Sequence, residues 1–377
     1  MKNIVFIISA LLFAFNVAAE NPAEKSLSLV KSAGVKLKLE KVFEGLGIPW
    51  GMAFISPSKL LVTEREGNIR LLDLNTSKNI QLKNTPSVLA EGQGGMLDVA
   101  IPPDRHTRGW IYFTYVKEVD NEGVTVLARA RLTNDRFTQW QELLVSDSGT
   151  GNGYHFGSRI TFDDSGHVYF GIGDRGERTN AQDLTNHAGT IIRLNLDGSI
   201  PEDNPFIKHE SALAEIWSYG HRNPQGLSYD LKHHRLWEIE HGPRGGDEIN
   251  LILPGKNYGW PVISYGKEYW APIAVGEGTH RKGMEQPVKV YVPSIAPGSL
   301  IVYSGNAFPK WKGNLFSGAL KLRHINRVVL NKKGEAVKEE RLLELLDERV
   351  RALTQSPEGW IYFATDSGKI YRIKPAS

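Results

Sequence analysis

The sequence predicts an all-β fold: a six-bladed β-propeller built from four-stranded antiparallel blades. The first observation behind this prediction is composition, because 38 of the 377 residues are glycine and 10% are aromatic. Glycine exceeds its average of roughly 7%, and glycine-rich chains with many aromatic residues are typical of short strands joined by turns. The second observation is that one local pattern occurs six times, which is the signature of a radial array of sheets.

Each repeat has a short apolar strand, a turn with Pro, Asp or Gly, and a second strand rich in β-formers. The repeats are separated by roughly 30 to 75 residues, which matches blades joined by loops of uneven length. In three repeats a third strand follows a glycine turn, at residues 67–72, 189–194 and 368–373. The six predicted strand pairs are 50–54 with 60–64, 95–101 with 110–115, 158–162 with 167–171, 226–229 with 235–240, 299–303 with 314–319, and 350–355 with 360–365.

The last repeat leaves too little chain after it for a complete blade. Residues 34–40 alternate between apolar and polar side chains, as half-buried antiparallel strands do, and we expect them to supply the missing strand and close the ring. Strong helix formers run together only at residues 338–348, which are equally compatible with a strand and a loop. The alternative architecture is a pair of two-sheet sandwiches.

The first 19 residues are predicted to be a secretory signal peptide. A positive charge at Lys2 precedes an apolar run at residues 4–15, and the small residues at 17–19 suit a cleavage site. The apolar run is shorter than the ~20 residues that a membrane-spanning helix needs, so cleavage is favoured over an anchor that stays attached. We therefore expect residues 20–377 to form a single propeller domain, without a membrane span, in the periplasm or outside the cell.

Charge and cysteine content exclude several classes of function. The net charge of +3 at pH 7 is too small to indicate a nucleic-acid or membrane-surface partner. Without any cysteine the chain has no disulfide scaffold, no thiolate metal site and no cysteine nucleophile. Redox chemistry in this chain would therefore need a bound cofactor.

His155 and Asp174 are suited to acid–base chemistry. His155 lies between glycines just before a predicted strand, where a neutral imidazole can act as a general base. Asp174 ends a strand on a glycine-rich turn, from which a carboxylate can orient an imidazole through its second ring nitrogen. Taken alone, a structural role is the more common explanation for each residue.

Several side chains in the second half of the chain are suited to an anionic ligand. Arg222 and Asn223 offer planar donors for carboxylates or quinone-like oxygens. Lys321 follows a predicted strand, and Arg349 and Arg351 lie on one face of another. Two cations on one strand face are costly in a core unless they meet an anion, and two exposed arginines are the alternative.

A segment with free carbonyl and carboxylate groups is a candidate cation site. Pro243 removes one backbone donor, so the carbonyls of Gly242 and Pro243 are available to a hard cation. Glu248 adds a carboxylate, and Asp247 can add another. Oxygen ligands of this kind favour calcium over zinc, although the spacing is not that of an EF-hand loop.

The chain resembles the soluble PQQ-dependent aldose sugar dehydrogenases, which are relatives of soluble quinoprotein glucose dehydrogenase. The resemblance extends over essentially the whole mature chain, and it lies in many short motifs that occur in the family's order. In the first half these are PWGMAF at 49–54, TER at 63–65, GQGG at 92–95 and HFGSR at 155–159. In the second half they are IPEDNPF at 200–206, HRNPQG at 221–226, residues 240–250, GKNYGWP at 255–261 and GALK at 318–321.

The resemblance implies a PQQ cofactor that lies over the channel mouth and is held by calcium. His155 would take the proton of the anomeric hydroxyl while hydride passes from C1 to the quinone, with Asp174 orienting His155 and Arg222 stabilising the developing charge. The implied calcium ligands are the carbonyls of Gly242, Pro243 and Tyr258 and the side chain of Glu248. The implied PQQ contacts are Gln93, Arg222, Asn223, Tyr269, Ser294, Lys321, Arg349 and Arg351.

On this interpretation the partners are an aldose sugar, which is oxidised to the lactone, and an external electron acceptor. The alternatives are a calcium-dependent propeller lactonase and a propeller that only binds a glycan or a protein. A lactonase would not require Lys321, Arg349 and Arg351 to converge on one ligand. A binding module would not require a base such as His155 near Asp174. The sequence is compatible with a monomer and with a homodimer.

Overall fold

The computed structural model describes residues 31–103 and 109–376, so the predicted signal peptide of residues 1–19 lies outside the described residues. The described chain forms six antiparallel sheets, which are the six blades of a β-propeller as predicted. It also contains three short 3-10 turns, at Arg178–Gln182, Pro309–Trp311 and Glu344–Leu346. Within the described ranges, no helix is long and apolar enough to cross a membrane.

The strands follow the chain from blade to blade, and each blade is numbered from the strand beside the central channel outward. The described chain starts with β1 (Lys31–Ser32) and β2 (Val35–Phe43). Blade 1 contains β3 (Pro49–Ser56), β4 (Lys59–Glu64), β5 (Ile69–Asp73) and β6 (Lys78–Gln81), and blade 2 contains β7 (Met96–Ala100), β8 (Trp110–Val119), β9 (Glu122–Thr133) and β10 (Arg136–Val145). Blade 3 contains β11 (Ile160–Phe162), β12 (His167–Ile172), β13 (Thr190–Asn195) and β14 (Ile216–Tyr219), and blade 4 contains β15 (Pro224–Asp230), β16 (Arg235–Glu240), β17 (Asp247–Ile252) and β18 (Lys289–Tyr291). Blade 5 contains β19 (Pro297–Val302), β20 (Leu315–Ala319), β21 (Ile325–Leu330) and β22 (Ala336–Leu342), and blade 6 contains β23 (Val350–Gln355), β24 (Ile361–Thr365) and β25 (Ile370–Pro375).

The six predicted strand pairs are confirmed as the first two strands of the six blades. The predicted ring closure is also confirmed, because β2 pairs antiparallel with β25 and places Leu39 opposite Ile373. The short strand β1 then pairs with β2 and adds a fifth strand to blade 6. Residues 338–348 form the end of β22 and a 3-10 turn, which agrees with the strand-and-loop reading of that segment.

The hydrophobic core lies between neighbouring blades, where the faces of their sheets pack on each other. Leu60 and Val62 of blade 1, for example, form one buried cluster with Tyr362 and Ala364 of blade 6. The sheet faces therefore have little contact with water, and successive residues of a strand such as Leu60 and Leu61 are both fully buried. Burial at about 25 cal/mol per Å² of apolar surface makes these contacts the main stabilising contribution.

Arg159 lies in the central channel and connects the innermost strands. Its guanidinium donates to the carbonyls of Trp50 (3.1 Å), Gln225 (3.3 Å) and Gly298 (2.7 Å) and to Asp98 Oδ1 (2.8 Å). These partners belong to blades 1, 4, 5 and 2, and Arg159 itself immediately precedes the first strand of blade 3. A buried arginine bound in this way separates the channel into two halves.

Candidate active site

One mouth of the channel holds a cavity of about 250 Å³, which we call the upper cavity. A larger cavity of about 430 Å³ lies beyond Arg159, but in its described lining the only charged side chains are Arg159 and Asp98, which pair with each other. The upper cavity is lined instead by many polar groups, three of them arginines without a carboxylate in the lining, so it is the better site for chemistry. Its polar lining consists of Arg65, Gln93, Asn223, Gln225, His241, Arg349 and Arg351.

His155 and Asp174 are in direct contact beside this cavity. His155 precedes β11 and Asp174 follows β12, so two adjacent strands of blade 3 bring them together, with His155 Nδ1 2.7 Å from Asp174 Oδ1. Because a carboxylate only accepts hydrogen bonds, Nδ1 bears the proton of the neutral imidazole and Nε2 keeps a lone pair. This is the arrangement of a base whose ring is oriented by a carboxylate.

The surroundings keep the carboxylate charged and the imidazole neutral. Burial opposes the ionisation of Asp174, but hydrogen bonds from His155 and from the Gly176 N–H (2.8 Å) outweigh it and lower the pKa of Asp174. Burial lowers the pKa of His155, and the positive charges of Arg222 and Arg175 act in the same direction against the opposing effect of Asp174. His155 therefore has a pKa below its ordinary value of 6.5, as a base that works near neutral pH requires.

The main chain of His155 has an unusual conformation that its neighbours stabilise. Its φ angle of 59° lies in the left-handed region, which is unfavourable for a residue with a side chain. The His155 N–H donates to Gln93 Oε1 at 3.0 Å, and the Gln93 N–H donates to the carbonyl of Gly153 at 2.7 Å. Glycine is required at position 173, because a Cβ atom there would overlap the carbonyl oxygen of His155.

Arg222 and Asn223 are positioned by a buried glutamate. Their backbone N–H groups both donate to Glu240 Oε2, at 2.5 and 3.1 Å. The Arg222 guanidinium donates to the carbonyl of His241 at 3.1 Å and packs over the ring of Trp260. Its Nε atom is buried without a partner among the described residues, which leaves one donor for a ligand.

Arg349 and Arg351 are held side by side by Asp366. Asp366 Oδ2 accepts from Arg349 Nε at 2.7 Å, and Asp366 Oδ1 accepts from Arg351 Nε at 2.8 Å. Burial opposes the ionisation of Asp366, but the two guanidinium groups outweigh it and lower its pKa. Two cations and one carboxylate leave a net positive charge at the cavity, as an anionic ligand needs.

A buried acidic cluster lies next to the upper cavity. Ligand atoms of His221, Glu238 and Glu240 lie within 4.8 Å of one another, and Glu248 lies opposite Glu240 in the β16–β17 pair. His221 Nδ1 and Glu238 Oε1 have no hydrogen-bond partner among the described residues. Loss of hydration, and then repulsion from Glu240, raises the pKa of Glu238 and of Glu248 well above the usual range. Such a cluster is what a bound cation would relieve.

The predicted calcium ligands share one small cavity of about 20 Å³, which is large enough for an ion or a water molecule. It is bordered by Gly242, Pro243, Glu248 and Tyr258. Asp247, the other candidate carboxylate, is already occupied by the Gly242 N–H and by neighbouring groups. Carbonyl oxygens with a partly buried glutamate form a donor set that fits calcium.

Four predicted cofactor contacts lie outside the lining of the upper cavity, and one of them, Arg222, borders the small cavity of the predicted calcium ligands instead. Ser294 is buried, and its hydroxyl donates to Asp247 Oδ2 at 2.7 Å. Tyr269 is 66% exposed on the loop that follows β17, and Lys321 is exposed beside Leu320, which lines the cavity. Gln93, Asn223, Arg349 and Arg351 do line it, and the cofactor-binding roles of all eight residues stay predictions.

Sequence reasoning missed residues that act through others. Asp366 was not identified, because no sequence pattern near it shows that the turn after β24 contacts Arg349, just before β23, and Arg351, within β23. Trp260 was seen only as part of a motif, yet its indole N–H donates to Asp174. Glu238 had a readable signal, because a charged residue within the apolar strand β16 points to a buried polar site.

Comparison with known proteins identifies the family. Residues 46–372 match the model of the Glucose / Sorbosone dehydrogenase family. The aldose sugar dehydrogenase YliI of Escherichia coli (strain K12) is 37% identical over 92% of this chain and 95% of its own length. The apo-form crystal structure of the soluble aldose sugar dehydrogenase from Escherichia coli superimposes with a TM-score of 0.86 at 35% identity, covering 90% of this chain and 100% of that one. The PQQ-bound aldose sugar dehydrogenase from Streptomyces coelicolor gives 0.74 at 25% identity over 90% and 98%. The chain belongs to the glucose/sorbosone dehydrogenase family.

Proposed function

We propose that the protein oxidises aldose sugars at C1 to the lactone, with PQQ and calcium bound, and passes the electrons to an external acceptor. Membership of the family supports a PQQ-type sugar oxidoreductase. The observation that carries the finer proposal is the 2.7 Å contact between His155 and Asp174 beside a cavity with two arginines. PQQ, when bound, would supply the two-electron quinone that accepts hydride from the sugar.

The chemistry of the upper cavity fits a rigid tricarboxylate. Arg349 and Arg351 are already held in place by Asp366, so little side-chain entropy is lost when they bind a carboxylate. Gln93 and Asn223 add amide groups to the lining. We assign the cofactor's carboxylates to the two arginines.

His155 would remove the proton of the anomeric hydroxyl through Nε2. Its Nδ1–H is committed to Asp174, and its lowered pKa leaves Nε2 unprotonated at neutral pH. Asp174 would favour the imidazolium that forms, because a buried carboxylate at hydrogen-bond distance stabilises the positive ring. Proton removal from the hydroxyl would promote loss of hydride from the same carbon, which yields the lactone.

Calcium would be held by the carbonyls of Gly242, Pro243 and Tyr258 and by Glu248. The acidic cluster supports this assignment, because its pKa values are raised by burial and by like charge. Together with Arg222, a cation at this position would favour negative charge developing near the upper cavity. The residues of the chain would thus orient the sugar and separate its proton from its hydride.

The experiment is to add PQQ and calcium to the purified protein and to follow sugar-dependent reduction of a dye. We expect dye reduction with aldoses, and a His155→Gln variant that binds PQQ normally and turns over slower by a factor on the order of 10²–10⁴. The matched control is His167→Gln, since His167 makes the same 2.7 Å contact with Asp163 at the other end of blade 3. Absence of PQQ binding together with lactone hydrolysis would favour a calcium lactonase, and neither activity would favour a binding module.

A further inference from the structure

The residue after Asp174 is a buried charge that the proposed mechanism does not use. Arg175 is 0% exposed and makes no direct ion pair with the described residues, although the charges of Asp174 and Glu122 favour its charged form from a distance. Its hydrogen bonds all go to main-chain carbonyls: those of Tyr154, Asn152 (2.9 Å) and Gly123 (2.9 Å). Its guanidinium also lies 3.5 Å from the centre of the Phe156 ring.

Burying this guanidinium without a direct ion pair is costly. A charged group that leaves water without a hydrogen-bonded partner of opposite charge loses hydration, which carbonyl oxygens, an aromatic face and more distant charges recover only in part. Burial lowers the pKa of Arg175 to about 10, so it is still charged at neutral pH. A neutral apolar residue would fill the same space at lower cost, and the arginine must therefore serve a purpose other than packing.

Two of the three carbonyls that Arg175 binds, those of Asn152 and Tyr154, belong to the segment leading to His155. That segment, residues 149–154, contains three glycines, and such a segment loses much conformational entropy when it is ordered. It ends in the left-handed conformation of His155. Gln93 binds this segment from blade 2 through Gly153 and His155, while Arg175 binds it from blade 3 through Asn152 and Tyr154.

We propose that Arg175 is a positioning residue for the catalytic base. Asp174 orients the imidazole ring of His155, and Arg175 fixes the carbonyls of Asn152 and Tyr154, which precede His155 in the chain. Two consecutive residues therefore hold the side chain and the main chain of the same histidine. This inference rests on the proposed role of His155 as the base. On this proposal Arg175 rigidifies the glycine-rich segment 149–154, which would be flexible without it.

The charge of Arg175 also has an effect that can be measured separately. The groups that face His155 are Asp174 and Arg175 from the loop after β12, Arg222 from the loop before β15, and His241 from the loop after β16. Arg175 disfavours the imidazolium, so loss of its charge raises the pKa of His155. Lysine keeps the charge and loses the forked geometry, whereas methionine loses both.

The experiment compares Arg175→Lys and Arg175→Met with the parent. We expect kcat to fall on the order of 10²-fold in both variants while PQQ affinity is unchanged, because a small displacement of a base slows chemistry and not cofactor binding. The His155 titration, followed by NMR in the PQQ-free protein and assigned with His155→Gln, should move to higher pH in Arg175→Met only. The control is Arg193→Met, a buried arginine at the other end of blade 3 that pairs with Asp203.

Equal kcat in parent and variants would overturn the inference, as would a loss of thermal stability with unchanged kcat per folded molecule. If neither Arg175 variant folds, Thr150→Val replaces them, since Thr150 Oγ1 donates to the Arg175 carbonyl at 2.9 Å. Loss of that hydrogen bond should lower kcat about fivefold, and unchanged kcat would contradict the inference. If the parent oxidises no aldose yet the His155 titration responds as expected, the proposed function fails and the positioning role stands.

Discussion

The indole N–H of Trp260 donates to Asp174 Oδ2 at 2.7 Å, while the other oxygen of Asp174 binds His155. Trp260 comes from the loop between β17 and β18 of blade 4, and Asp174 comes from blade 3. The orientation of the proposed base therefore depends on contacts between blades, and a change in a distant loop can alter it.

Trp260→Phe should lower kcat by roughly tenfold, because it removes a charge-assisted hydrogen bond worth about 1.5–3 kcal/mol. Loss of this donor should also raise the pKa of Asp174. The measurement is kcat against pH for the loaded enzyme. Trp217→Phe is the control, since the Trp217 N–H has no partner among the described residues. An equal loss of kcat in both variants would show that ring size alone matters.

Arg351→Gln should weaken PQQ binding by a factor on the order of 10–10², because one cation facing a carboxylate is lost. The affinity of the parent should fall with added salt, and that of the variant should fall less steeply. Titration with PQQ at two salt concentrations measures both effects. Arg372→Gln, at an outer position of the same blade where Arg372 pairs with Glu40, should leave the affinity unchanged. Unchanged affinity in Arg351→Gln would remove Arg351 from the cofactor site.

Glu248→Gln should make the PQQ-free, calcium-free protein more stable, because it relieves repulsion with Glu240 in a buried cluster. It should also abolish the increase in thermal unfolding temperature that calcium produces in the parent. Calorimetry with calcium and with a chelator measures both effects. Glu344→Gln, an exposed change, serves as the control. A calcium-dependent increase that persists in Glu248→Gln would exclude Glu248 as a ligand.

Leu37→Ala should lower the free energy of unfolding by about 2–4 kcal/mol, because Leu37 is 1% exposed in the core between blades 5 and 6. Lys36→Ala, one residue away and exposed, should change it by less than about 0.5 kcal/mol. Denaturant titrations of both variants test the importance of ring closure by β2. Similar stability of the two variants would mean that the outer strand contributes little.

Glu40 should make the free energy of unfolding depend on pH in the acid range. Burial opposes its ionisation, but Lys374, Lys38 and Arg372 outweigh this and lower its pKa from 4.5 to about 2. Because the folded pKa lies below the unfolded one, the contribution of Glu40 is fully present above pH 4.5 and is lost as pH falls towards 2. Glu40→Gln should therefore be less stable than the parent at pH 7 and lose less stability between pH 5 and pH 2. Parallel curves for the two proteins would contradict this.

The sequence predicted the blades well because the information for them is local. A strand pair such as β3 with β4 is encoded by two short apolar strands and by the turn between them, all within 16 residues from Pro49 to Glu64. The ring closure was predictable for a related reason, since β2 alternates apolar and polar residues and the last repeat lacks a strand.

The site was predictable only where a motif contains the functional residue. His155, Asp174 and Arg222 lie in such motifs, and the structure brings them together. Asp366 and the contact of Trp260 with Asp174 could not be read, because their partners come close only when strands or blades assemble. The hydroxyl of Ser294 likewise points to Asp247, a contact that no spacing rule reveals.

The pairing of β2 with β25 can form only late in the synthesis of the chain. Glu40 and Arg372 meet across it although 332 residues separate them, and a ribosome needs roughly 15 to 70 s to add that many. During that interval the edge of β2 that pairs with β25 is open, and the surface of blade 1 that packs on blade 6 faces solvent. The newly made chain therefore stays exposed to proteases and to aggregation until β25 has been made and pairs with β2.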